Sequence, residues 1–134
     1  MSAPVSDSFG SFGDELHLVV PPYAAYLRAV RLVAADAAVR AGLDCEETED
    51  FRLAVDELCQ AMFQGTDHVV VLSFHTEAGN VVARGAARGR EGLSGSMNEL
   101  SETIVASLSD HYEFESDGVD LGFVVTRRRA SARR

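Results

Sequence analysis

Asp50-Phe51-Arg52-Leu53-Ala54-Val55-Asp56-Glu57-Leu58-Cys59-Gln60-Ala61-Met62 is the stretch whose reading decides the fold. Phe51, Val55, Leu58 and Met62 recur at intervals of three and four residues, which puts their side chains on one side of an α-helix. The predicted helix runs from about Glu46 to Phe63. Glu46, Glu47 and Glu49 fall near its start, where the helix dipole favours negative charge. Gly65-Thr66-Asp67 ends it.

Upstream, Glu15-Leu16-His17-Leu18-Val19-Val20 reads as a first strand that Pro21-Pro22 stops. A helix is predicted from Tyr23 to Ala41, with Leu27, Val30, Val33 or Ala34, and Ala37 on its apolar side and Gly42 as its C-terminal stop. Downstream, His68–His75 and Asn80–Arg84 are β-branched-rich strands joined at Glu77-Ala78-Gly79. Ala86 to Ser96 carries Gly89, Gly92 and Gly95 among polar residues and reads as a loop. Glu99–Ser109 is helical. Tyr112–Glu115 and Val119–Val125 form a closing hairpin over Asp117-Gly118. The order β-α-α-β-β-α-β-β predicts an α+β fold: a two-layer α/β sandwich, mostly antiparallel, with the helices on one face of the sheet.

Composition narrows the function. The 134 residues are 46% hydrophobic, enough for a core, and suggest one domain over 14–127 between a lead-in (1–13) and a basic tail (128–134). The 21 acidic residues outnumber the 12 basic ones, for a net charge of −9. Nucleic-acid affinity comes mainly from Lys and Arg neutralising phosphates, so no direct nucleic-acid partner is expected. No apolar run approaches the length of a membrane span, and no signal peptide is read at the N-terminus. Cys45 and Cys59 form neither a metal pattern nor a disulfide framework, which suits a cytoplasmic location.

The element order and the run Arg52-Leu53-Ala54-Val55-Asp56-Glu57-Leu58-Cys59 resemble the GHKL (histidine kinase-like) ATPase superfamily, and within it the anti-sigma factors that are also serine kinases. The likeness extends from Glu15 to Arg127 and includes the closing Gly122-Phe123-Val124-Val125-Thr126-Arg127. In that family the helix reads R-L-A-V-x-E-x-x-x-N. Its Glu works beside the ATP γ-phosphate, and its Asn, one turn on, helps hold Mg²⁺. The resemblance puts the Glu role on Glu57 and the Asn position on Ala61. A methyl group cannot ligate magnesium, which takes oxygen ligands. Gln60 has an amide oxygen but is turned by about 100° around the helix axis. No metal ligand set is therefore expected.

Two further family features bear on nucleotide binding. The D-x-G-x-G motif, whose Asp accepts the adenine amine, corresponds to Val82-Ala83-Arg84-Gly85-Ala86-Ala87-Arg88-Gly89, which contains no acid. Arg84 and Arg88 are donors, the wrong polarity for that amine. The glycine-rich phosphate box has one candidate, Gly92-Leu93-Ser94-Gly95-Ser96, in which Gly92, Gly95 and Ser96 would bind the cofactor. No cofactor is expected unless other residues compensate and restore ATP and Mg²⁺. Glu57 reads as a vestige of the catalytic position.

The resemblance implies a regulator that binds a sigma factor, a STAS-type anti-sigma antagonist, or both, as a homodimer. Family dimers form through the first strand and first helix, which places Leu16, Leu18, Val20, Tyr23, Tyr26 and Leu27 at the contact. Two alternatives stay open: an active ATP-dependent serine kinase acting on the antagonist, and a small α+β sensor with an apolar cavity lined by Phe74, Met97 and Phe123. The acidic run Asp44–Asp50 reads either as a capped helix start or as a docking surface for a basic segment.

Overall fold

The computed structural model describes residues 15–90 and 96–130. Its strands are β1 (Leu16–Val20), β2 (Val70–Glu77), β3 (Asn80–Arg88), β4 (His111–Ser116) and β5 (Asp120–Arg128). Its helices are α1 (Leu27–Arg40), α2 (Cys45–Gln64) and α3 (Glu99–Leu108), with a short 3-10 turn at Ala24–Tyr26 before α1. The strands form one sheet in the order β1-β2-β3-β5-β4, and every neighbouring pair is antiparallel. The helices cover one face, giving the two-layer α+β sandwich expected from the element order.

Alternation along the strands decides which side chains meet the helices. Val70, Leu72 and Phe74 of β2, Val81 and Ala83 of β3, and Leu121, Phe123 and Val125 of β5 are buried in the core. They meet Phe51, Val55, Leu58 and Met62 of α2, the stripe read from the sequence, together with Val30 and Ala34 of α1 and Val105 of α3. Among the described residues the opposite sheet face carries no helix, and it presents His17, Val71, Ser73, Arg84 and Val124 along a shallow groove.

Local signals set the helix ends. The Asp44 carboxylate accepts the Glu47 N–H at 2.8 Å, and the Glu47 carboxylate accepts the Asp44 N–H at 2.9 Å. This reciprocal capping box fixes the start of α2. At the end of α1, Leu43 N–H bonds the Ala38 carbonyl at 3.1 Å and Gly42 N–H bonds Val39 at 3.0 Å, a Schellman closure with Gly42 at φ 92°.

Several boundaries differ from the sequence reading. β3 does not stop at Arg84. Gly85, Ala86, Ala87 and Arg88 continue it by pairing with Phe123, Gly122, Leu121 and Asp120 of β5. These residues have weak strand preference, and the neighbouring strand supplies the order. Arg128, placed in the tail by sequence, pairs with Asn80 as the end of β5. The segment after Pro21-Pro22 opens as a 3-10 turn, so α1 begins at Leu27 rather than Tyr23.

Gly85 marks a close approach. A methyl group added there would stand 2.8 Å from Cδ2 of the Phe123 ring, which packs directly over the glycine. At Gly122 an added carbon would meet only the Gly85 carbonyl, at 3.5 Å. Gly85→Val should therefore lower the unfolding free energy by about 1–3 kcal/mol through overpacking. Gly122→Ala should change it by about 0.5 kcal/mol or less. Urea-unfolding midpoints of the two variants check the contrast.

Candidate functional site

Helix α2 lies between α1 and α3, and its polar residues meet different neighbours. Asp56 is 9% exposed. Its carboxylate receives Nη1 of Arg31 from α1 at 3.0 Å and the side-chain amide of Gln60 at 3.0 Å. The amide that stood nearest to a substitute magnesium ligand is thus engaged within the helix. Glu57 is half-buried, and among the described residues its carboxylate has no hydrogen-bond or ion-pair partner. One turn on, Ala61 is 8% exposed and offers only its methyl group.

The acidic run at the start of α2 is largely committed to internal contacts. Asp44 and Glu47 close the capping box. Glu49 pairs with Arg52, whose guanidinium holds the Glu49 carboxyl below its ordinary pKa and is itself raised by that hydrogen bond. Asp50 receives Nη2 of Arg127 at 2.9 Å, and Arg127 also lies 3.6 Å from Asp110. Of the two readings of this run, these contacts match the capped helix start.

The strand that would lead into a base-binding loop is fastened to the end of α2 instead. The Thr66 hydroxyl donates to the Arg88 carbonyl, Arg90 N–H bonds the Gly65 carbonyl at 2.8 Å, and Gly89 N–H bonds Val119 at 2.7 Å. Arg84 and Arg88 are exposed on the helix-free face of β3. The proposed phosphate-box residues Gly92 and Gly95 lie outside the described residues. Ser96 is described, and it lines a groove with Tyr112 and Phe114 to which Glu57 does not contribute.

The six residues expected at a subunit contact divide. Val20 and Leu27 are buried, and Leu16 and Leu18 pack against the core. Tyr23 and Tyr26 are exposed, at 64% and 44%. Sequence reasoning missed Val19, Leu32 and Val39, which are also exposed on β1 and α1. Their signal was available as apolar residues out of phase with the buried positions.

Other chemistry is sparse. His17, His68, His75 and His111 each stand beside a different acid: Glu15, Asp67, Glu77 and Glu113. No group of three or more potential metal ligands comes together among the described residues. Phe74 and Phe123, named for an apolar cavity, are buried in the packed core, and Met97 packs against it. No helix among the described residues is long and apolar enough to cross a membrane.

With this geometry in place, comparison with known proteins supplies one kind of support. Neither protein-family models nor curated proteins give a match. Among solved structures, the chain is similar to the crystal structure of the RsbU and RsbW domains of Rv1364c from Mycobacterium tuberculosis. The TM-score is 0.67 at 20% identity, and the match covers 85% of this chain. It covers 32% of the other, so this chain spans about a third of the length of that protein's chain. At that identity the likeness shows the fold: the two-layer sandwich found in a protein that contains an RsbW domain.

Two predictions follow from the helix contacts. Arg31→Ala leaves the poorly hydrated Asp56 carboxylate with Gln60 alone and should cost about 1–3 kcal/mol of stability. Asp56→Ala frees an Arg31 side chain that is already 36% exposed and can rehydrate, so it should cost less. Thermal unfolding of both variants tests the order. Among the cysteines, burial pushes the Cys59 thiol well above its ordinary pKa, while Cys45 is exposed. A thiol-reactive disulfide reagent should therefore modify Cys45 in the native protein and reach Cys59 only after denaturant is added.

Proposed function

We propose that this chain is an anti-sigma-factor-like regulator that works by binding proteins in the cytoplasm. Its partners are a sigma factor, a STAS-type anti-sigma antagonist, or both, exchanged in a partner-switching cycle. It acts as a degenerate member of the GHKL superfamily through a single domain at 14–127. The observation that carries this reading is the placement of Ala61 one turn beyond Glu57, with Gln60 turned to Asp56.

The physical case rests on what magnesium and adenine require. Phosphoryl transfer depends on metal ions and positioning more than on covalent chemistry by the protein. At the family's Asn position this chain has a methyl group, and at its adenine-binding Asp it has strand residues and arginines. Each lost partner in a buried polar site costs about 1–3 kcal/mol. Losing both weakens ATP binding by roughly two to four orders of magnitude. A fold can lose its ligand chemistry and keep its protein-binding faces.

Tyr23, Tyr26 and Val19 support a subunit or partner contact at the β1 edge. They are exposed, apolar or aromatic, and on or beside β1, which among the described residues pairs with a strand on one side only. Aromatic side chains in such positions commonly anchor protein interfaces. Leu16, Leu18, Val20 and Leu27 then act behind the contact, holding β1 and α1 in place.

Titration calorimetry with ATP and Mg²⁺ should show no saturable binding at micromolar concentrations. A pull-down from the native cytoplasm, followed by reconstitution with purified components, should recover a sigma subunit or a STAS-type antagonist. Tyr23→Ala combined with Tyr26→Ala should weaken that association, or the dimer, by at least about tenfold. Micromolar ATP affinity with phosphate transfer to a STAS protein would overturn the reading in favour of the kinase. Recovery of neither partner would overturn it altogether.

A further inference from the structure

The two ends of the sheet differ in chemistry. β1 ends one side, with exposed Val19 beside Tyr23 and Tyr26. β4 ends the other, with β5 on one edge and, among the described residues, no strand on its second edge. Asp117 N–H bonds the Asp120 carbonyl at 3.2 Å where the β4–β5 hairpin closes. Hydrogen-bonded pairs alternate along an antiparallel ladder. Glu115 with Gly122 and Glu113 with Val124 are then the next bonded pairs. The backbone N–H and C=O groups of Tyr112, Phe114 and Ser116 therefore point away from β5, toward the open edge.

A groove of about 580 Å³ runs along this edge. Met97, Tyr112 and Phe114 give it an apolar wall, and Glu102, Glu113 and Glu115 give it three carboxylates. The two sets are sorted by strand geometry. Tyr112 and Phe114 point toward the helix layer, while Glu113 and Glu115 alternate to the opposite side. Glu113 lies 2.9 Å from the exposed His111 ring. Glu102 and Glu115 have no ion-pair partner among the described residues.

We propose that the β4 edge is a docking site for an extended basic segment of a partner protein. The segment adds beside β4 as a sixth strand, bonding the outward backbone groups of Tyr112, Phe114 and Ser116. Its apolar side chains pack over Phe114 and Met97, and its Lys or Arg side chains meet Glu113 and Glu115. Backbone bonds supply affinity in this mode, and alternating side chains supply selectivity. Charge complementarity fixes the occupant. A second copy pairing through the same edge would set Glu113 and Glu115 against their own counterparts, and facing like charges are destabilising. Acidic residues also protect an edge from self-association. Protection alone needs no apolar wall behind the carboxylates. This surface lies at the far end of the sheet from β1, and the inference does not depend on the sigma-factor reading.

The probe is a synthetic peptide of alternating arginine and valine, titrated into the isotope-labelled full chain. Its controls are the glutamate–valine analogue and the same arginine–valine peptide N-methylated at alternate amides. The arginine–valine peptide should bind, slow amide exchange at Tyr112, Phe114 and Ser116, and weaken as salt rises. The double variant Glu113→Lys/Glu115→Lys should lose at least about tenfold in affinity while keeping the parent circular dichroism and melting temperature. Both control peptides should bind at least about tenfold more weakly. Absence of binding, protection at β1 instead of β4, or undiminished affinity in the double variant would overturn the proposal. A change in sedimentation of the peptide-free chain on Glu113→Lys/Glu115→Lys would also overturn it, by revealing a second copy as the occupant.

Discussion

Burial of one side of α2 is the constraint on which the rest of the structure depends. Phe51, Val55, Leu58 and Met62 have no measurable exposure, and they share one core with residues of β2, β3 and β5. Burying such a side chain contributes roughly 1.5–3 kcal/mol, so this row sets the helix's rotation about its axis. Once the rotation is fixed, so are the positions of Asp56, Glu57 and Ala61. Asp56 faces α1 and meets Arg31. Chemistry on α2 is confined to a few residues at the margins of its buried stripe.

Polar contacts then tie the layers together. Arg127 at the end of β5 reaches Asp50 near the start of α2 and Asp110 in the link between α3 and β4. Asp110 also accepts the Arg128 N–H at 2.7 Å. This cluster joins the sheet, the central helix and the closing hairpin at one corner. At the other end of α2, Thr66 and Gly65 bond Arg88 and Arg90. Both ends of the central helix are thus attached to strands that are far away in sequence. Removing one member of such a cluster tends to cost more than a surface pair would, because the partners left behind are poorly hydrated.

The sequence made α2, the β4–β5 hairpin and the antiparallel sheet legible, each for a local reason. Phe51 to Met62 carries a helical period, Asp117-Gly118 is a tight-turn pair, and β2 and β5 are rich in valine. The continuation of β3 through Gly85-Ala86-Ala87-Arg88 was not legible, because its order comes from β5 rather than from its own residues. The Arg31–Asp56 pair was hidden for a similar reason: its members are 25 residues apart on separate helices, and only packing brings them together. At the candidate nucleotide site, sequence could show that Ala61 lacks a ligand atom. It could not show that Gln60 bends toward Asp56, since that depends on a side-chain rotamer.

The two proposed contacts lie at opposite edges of the sheet. An edge strand is a liability because its unpaired backbone groups accept any compatible chain. Among the described residues β1 carries no strand on its second side, where exposed aromatic and aliphatic side chains suit an apolar or self-complementary contact. The second side of β4 adjoins carboxylates and a shallow apolar wall, which favour a cationic strand and disfavour self-pairing. Because β2, β3 and β5 separate the two edges, contacts at one need not displace contacts at the other. Opposite chemistry at the two ends of a continuous sheet would let the two proposed contacts select different partners. Neither proposed surface draws on the α2 positions Glu57 and Ala61.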